Sequence, residues 1–335
     1  GTIDNSKAIF LRKTNDSTLR NNTIYTRNSL AQGIRLDNQS NFNTVINNRM
    51  YSNGSQAIII VNSTNNTIRD NYATTNSSSG AFVLNNFAQY NTITNNTAVA
   101  NTGPGFQLIT DVLRNIFINN TGYGFSGSSS AGIYVQISSH NNSFIGNNAS
   151  GNSTFGFVII NSNNNTIEAG TSFSNGTTSF IAQASEHTVL TLLASHANGT
   201  SPAIYLLHSP NSSLLHNTAT GRGGNAIRIE NSSNPSLYYT DGHSGTSIGI
   251  NIFEVIQNTY LLHNTATSNS SNGLAIQGTN KTNVQNNTAI AHTGTSSALA
   301  VINVTNGSFT NNFAVSAARG FSVDDSENNT FTNNT

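Results

Sequence analysis

The stretch that decides the fold is Ala57-Ile58-Ile59-Ile60-Val61-Asn62-Ser63-Thr64-Asn65-Asn66-Thr67-Ile68-Arg69-Asp70-Asn71. An apolar run opens it, a polar stretch follows, and Asn-Thr-apolar-x-x-Asn closes it. The next stretch repeats the layout, with Ala81-Phe82-Val83-Leu84, then Thr92-Ile93 and Asn96. The same phrase begins at Ala8, Gly33, Ala57, Ala81, Gly105, Gly132, Gly156, Ser179, Ala203, Ala226, Gly249, Gly273, Ala298 and Gly320. That is about fourteen copies at a period of about 24 residues, a spacing typical of solenoids.

Within one phrase the alternation has period two. In Gly105-Phe106-Gln107-Leu108, Phe106 and Leu108 share one face and Gln107 takes the other. Each phrase supplies two or three short strands with turns between them. The economical solution is a coil with one phrase per turn, each strand pairing in parallel with its equivalent about 4.8 Å away. The expected fold is all-β: a single right-handed parallel β-helix domain over residues 1–335, of about 14 rungs. Helical repeats are excluded by the dominance of Val, Ile, Phe, Thr, Asn and Gly.

The Asn three places after the second apolar residue recurs as Asn22, Asn48, Asn71, Asn96, Asn119, Asn147, Asn217, Asn264, Asn287, Asn312 and Asn334. An amide carries both donor and acceptor, so equivalent Asn residues in successive turns can bond to each other. Asn also tolerates the left-handed backbone of a sharp corner. These positions are read as a structural ladder. Small residues two places later, such as Ala73 and Ala98, are expected to face inward.

Composition narrows the function classes. Charged residues are 8% of the chain and the formal net charge is zero, so no electrostatic footprint for nucleic acid appears. No apolar run approaches the roughly 20 residues that span a bilayer. Cysteine is absent, which removes disulfides and thiolate metal sites. No cofactor is expected. The chain begins at Gly1 rather than Met and is read as a processed or excised piece.

With these residues in view, the chain resembles the right-handed parallel β-helix repeats of the carbohydrate-binding and sugar-hydrolase superfamily. Segments such as Asn65-Asn66-Thr67-Ile68-Arg69-Asp70-Asn71 and Asn328-Asn329-Thr330-Phe331 are similar to the Asn-rich repeats of archaeal and bacterial surface proteins and of periplasmic copper-handling maturation proteins. The resemblance implies the fold. It spans lyases, adhesins and non-catalytic surface proteins, so it does not select a function.

Chemistry on such a column needs clustered carboxylates. The repeat degrades between Ile229 and Tyr260, where Glu230, Asp241 and Glu254 are the candidate catalytic set should the chain be an enzyme. Arg228, Tyr238, Tyr239 and His243 lie among them. Glu230 and Glu254 fall at nearly the same phase in adjacent turns. His216 and His263 occupy matching positions about 10 Å apart with Tyr239 between, too far for one metal ion. The relatives therefore lend no metal site. Asp324, Asp325 and Glu327 match no calcium-loop spacing. The Ser-rich stretches 77–79 and 128–130 are read as projecting loops.

About two dozen Asn-x-Ser/Thr sequons occur, and Asn15, Asn38, Asn53, Asn76, Asn175, Asn198, Asn231 and Asn269 are the expected glycan acceptors. Neither end shows a capping repeat, which invites end-to-end self-association or marks neighbouring domains of a longer chain. The expected function is a non-enzymatic, glycosylated subunit of an extracellular filament, sheath or adhesin, with glycans as further partners. The alternative is a polysaccharide-binding or polysaccharide-degrading β-helix.

Overall fold

A computed structural model describes residues 7–127, 130–255, 257–293 and 295–335. Ser128 and Ser129, in one of the expected Ser-rich loops, lie outside the described residues. The rest is all-β, with strands of three to six residues and no helix. The chain divides into two compact units, Gly1–Phe173 and Ser174–Thr335.

In the first unit one turn consists of the strands Ile58–Val61, Thr67–Arg69 and Tyr72–Thr75. The next consists of Phe82–Asn85, Thr92–Thr94 and Thr97–Ala100. Equivalent strands pair in parallel, in the registers Ile58↔Phe82, Ile68↔Ile93 and Ala73↔Ala98. The strands thereby sort into a first, second and third sheet. The second unit repeats the plan: Ile227–Glu230, Ser236–Tyr238 and Asp241–Ser244 form one turn. Its registers with the next turn are Ile227↔Ile250, Leu237↔Leu261 and Gly242↔Ala266. The fold is a parallel β-solenoid of the right-handed type with about 13 turns of about 24 residues.

The core is a column filled by alternate residues of all three sheets. In the first unit an aromatic file runs from Phe82 through Phe106, Phe117 and Phe144 to Phe157, with ring centroids 4.9 to 6.2 Å apart. Ala73, Ala98 and Ala149 of the third sheet are buried as well. They share an inward register position of the third sheet with Ile24 and Met50 of the earlier turns.

The Asn-Asn-Thr signature resolves into three jobs. The first residue turns the corner in the left-handed region: Asn21, Asn47, Asp70 and Asn95 all have φ between 53° and 58°. Its successor points inward and joins the ladder, and Thr starts the third-sheet strand. In the first unit the ladder is Asn22, Asn48, Asn71, Asn96, Asn120 and Asn147, each Oδ1 taking both the N–H and the Nδ2 of the preceding member at 2.8 to 3.1 Å. Asn119, expected in that ladder, is instead the left-handed corner residue with φ 52°. The reason is phase: Phe117 is fully buried while its neighbour Ile116 is 42% exposed, so the count of three starts at Phe117. In the second unit Asn217, Asn264, Asn287, Asn312 and Asn334 occupy the ladder, with Thr240 replacing the amide between Asn217 and Asn264.

A second ladder, not expected from the sequence, stands at the preceding corner of the first unit. It runs Asn43, Asn66, Asn91, Asn115, Asn142 and Asn165 with the same paired geometry. Every amide hydrogen bond here satisfies a group that burial would otherwise leave costly.

Candidate functional site

The strand Ile227–Glu230 alternates cleanly. Ile227 and Ile229 are fully buried, so Arg228 and Glu230 face away from the core, on the outer side of the first sheet of the second unit. Register then brings in residues from the flanking turns. Tyr205 lies opposite Arg228 on one side and Asn251 on the other, while Phe253 lies opposite Glu230.

These side chains form one cluster. The Tyr205 hydroxyl donates to Glu230 Oε2, and Arg228 Nε donates to the same oxygen at 2.9 Å. The Arg228 guanidinium lies 5.2 Å from the Phe253 ring centroid and 5.8 Å from that of Tyr205, within cation–π range of both. Arg228 and Glu230 keep side-chain exposures of 32% and 17%, so the pair is partly desolvated yet reachable. Burial pushes the Tyr205 phenol up to about 12, helped by its hydrogen bond to Glu230 and the charge of that carboxylate; Arg228 opposes the shift. Tyr205 is therefore a proton donor across the physiological range. Asn251, 7% exposed, holds its Oδ1 buried without a hydrogen-bond partner, an unusual state for a side-chain amide. The cluster supplies a fixed carboxylate, a neutral phenol and a guanidinium whose terminal nitrogens make no hydrogen bond among the described residues.

Of the three carboxylates the sequence singled out, only Glu230 belongs to it. Asp241 opens the strand Asp241–Ser244 in the third sheet. Glu254 follows the strand Ile250–Phe253 in the left-handed corner, φ 52°, and its register partner is Asn231 rather than Glu230. The expected shared phase is off by one residue, and in a strand that difference changes the face. Two-carboxylate hydrolysis has no second acid beside Glu230 among these candidates. Tyr205, Asn251 and Phe253 were missed, although each sits one repeat from Arg228 or Glu230 and a turn-by-turn alignment would have found them.

His216, Tyr239 and His263 stack at the second-to-third-sheet corner, with ring centroids 5.0 Å apart at each step. All three are left-handed corner residues, exposed to solvent. Among the candidate glycan acceptors, Asn15, Asn53, Asn76, Asn175 and Asn269 are exposed, while Asn38, Asn198 and Asn231 are half-buried.

The family model of the periplasmic copper-binding protein (NosD) matches residues 2–125 and 126–241. No curated protein matches the chain. Among solved structures, the mannuronan C-5 epimerase AlgE6 A-module of Azotobacter vinelandii is similar in fold, with a TM-score of 0.51 at 15% identity over 87% of this chain and 90% of that one. The periplasmic alginate epimerase AlgG (T265N mutant) aligns at a TM-score of 0.39 and 13% identity over 75% of this chain and 73% of that one. The Agl-KA catalytic domain aligns at 0.38 and 10% identity over 84% of this chain and 52% of that one. The expectation of a non-enzymatic chain is corrected here: the fold that was read as a purely structural column is shared with an enzyme, the AlgE6 A-module.

The copper of the family description does not fit the side chains present. Among the described residues no three His, Cys, Asp or Glu side chains group as metal ligands. The chain has no cysteine, and its single methionine, Met50, is fully buried. His216 and His263 are held apart by the intervening Tyr239 ring. Soft sulfur or clustered imidazole donors, which copper prefers, are therefore not assembled.

Proposed function

The chain belongs to the periplasmic copper-binding protein (NosD) family, and on that premise we propose that it is a polysaccharide-active β-helix working outside the cytoplasm. The observation that carries the reading is the Tyr205–Arg228–Glu230 cluster on the outer side of the first sheet. The family description and the epimerase likeness support the location and the class of substrate.

The substrate class is an acidic polysaccharide built from uronate sugars. A sugar carboxylate placed on the terminal nitrogens of Arg228 is neutralised there, which acidifies the C–H bond next to it. Glu230, held through Oε2, keeps its other oxygen to accept that proton. Tyr205, neutral because its phenol is pushed up to about 12 and hydrogen-bonded to Glu230 on the same side of the sugar, donates a proton to the departing ring-linking oxygen. That course cleaves the chain by elimination. One carboxylate with one phenol suits proton transfer better than hydrolysis, which needs two carboxyl groups.

The test is incubation of the purified protein with mannuronan, alginate, pectate and neutral glucans. Proton NMR reports epimer content, and ultraviolet absorbance reports unsaturated uronate ends. The expected result is conversion of an acidic polymer by the wild type and a loss of at least about a hundredfold in Glu230→Gln and Tyr205→Phe. Full activity in both variants, or no conversion of any acidic polymer, would overturn the proposal.

A further inference from the structure

The first unit carries a surface that the cluster in the second unit does not use. We propose that the outer face of its third sheet, built on Tyr25, Tyr51 and Tyr72 with Arg27 and Arg49, is a separate binding site for an acidic polysaccharide chain. Tyr25 and Tyr51 are in register on the strands Thr23–Thr26 and Arg49–Ser52, and their rings stack at 4.9 Å with an interplanar angle of 10°. Tyr72 on the next strand tilts against Tyr51 at 6.0 Å and 49°. Tyr25 is 68% exposed and Tyr72 37%, so the column presents its rings to solvent.

Two hollows follow this column. One of about 470 Å³ is lined by Tyr25, Arg27, Tyr51 and Tyr72. The other, of about 540 Å³, is lined by Arg49, Asp70 and Tyr72, so Tyr72 borders both. The charge is unbalanced in the same place. Residues 1–75 hold eight of the thirteen basic residues and four of the thirteen acidic ones, a net of +4 that the zero total conceals. Arg35 and Arg69 pair with Asp37 and Asp70, whereas Arg27 and Arg49 are exposed and have no carboxylate partner among the described residues. Stacked phenols offer ring edges and hydroxyls to sugars, and free guanidinium forks match carboxylates two bonds at a time. An extended ligand running along the coil axis meets one such element per turn.

The ligand class rests on the polysaccharide reading; the position does not. Titration of the whole chain with polymannuronate, with a neutral glucan and with single-stranded polyuridylate tests both. The expected result is salt-sensitive binding of polymannuronate alone, weakened about tenfold or more by Arg49→Ala and by Tyr51→Ala. Arg49→Lys, which keeps the charge without the fork, is expected to recover only part of the affinity. Glu230→Gln is expected to bind here like the wild type, which separates this site from the catalytic reading. Circular dichroism confirms folding of each variant. Unchanged affinity in folded Arg49→Ala and Tyr51→Ala would overturn the site while leaving the polysaccharide reading standing. Equal binding of polyuridylate would reduce the face to an unspecific polyanion surface and overturn the proposal. Failure of the wild type to bind any acidic polysaccharide would overturn both.

Discussion

The two units share one fold and differ in how their corners are held. In the first, both inward corners carry unbroken files of six Asn residues whose amides satisfy each other and the backbone. In the second, one file persists with Leu193 and Thr240 in place of Asn. The other corner file passes through Thr188, Ser212, Pro235, Thr259, Thr282 and Gly307 and regains an amide only at Asn329, and Thr259 Oγ1 is buried without a partner. Amide ladders are thus not what makes the chain coil; the alternating apolar strands do that in both units. The ladders set how well each corner is satisfied. The Tyr205–Arg228–Glu230 cluster lies in the unit where they lapse, in keeping with the rule that local sequence preferences are relaxed where function is installed.

The largest effect is expected from breaking a good ladder. Asn96→Leu removes the acceptor for two donors of Asn71 and the donors to the Ile68 and Thr94 carbonyls. The cost is expected to be about 3 kcal/mol, measured by urea unfolding; a change within about 0.5 kcal/mol would deny the ladder its role. The second effect is a titration. Ordinary tyrosines ionise near 10, so phenolate absorbance should show a late step reaching about 12 that loses one group in Tyr205→Phe, while Tyr134, raised by its burial, still lags behind the ordinary tyrosines. Because the folded-state value is raised, its contribution to stability is fully present below about 10 and is lost as pH climbs toward about 12. A smaller effect is expected at Ile137, a β-branched residue in the left-handed region, φ 53° and 49% exposed. Ile137→Asn should stabilise by about 1 kcal/mol. The smallest is expected at the weak corner: Thr259→Val deletes the unpartnered hydroxyl at nearly constant shape and should be neutral or stabilise by up to about 1 kcal/mol. A loss there as large as at Asn96 would erase the contrast between the units.

The sequence shows the coil because strand alternation and repeat length are local properties that survive substitution. It shows the main ladder for the same reason, and it slips at Asn119 where two apolar neighbours, Ile116 and Phe117, compete for the inward position. The second ladder was hidden in plain sight within Asn65-Asn66-Thr67: adjacent Asn residues look alike in a sequence, but one turns the backbone and the other faces the core. The cluster was half legible. Arg228 and Glu230 are neighbours on one strand, whereas Tyr205 and Phe253 reach them only through the register between turns. The basic face of the first unit was invisible in a total charge of zero, since Arg27 and Arg49 border two hollows joined at Tyr72 only when successive turns stack.

The claim that the second unit works on acidic polysaccharide is tested most directly by an experimental structure of the protein with a bound oligouronate. The account predicts a sugar carboxylate on the terminal nitrogens of Arg228, with the sugar ring beside the free oxygen of Glu230 and the Tyr205 hydroxyl. An oligouronate seated elsewhere, with this cluster untouched at saturating ligand, would contradict it.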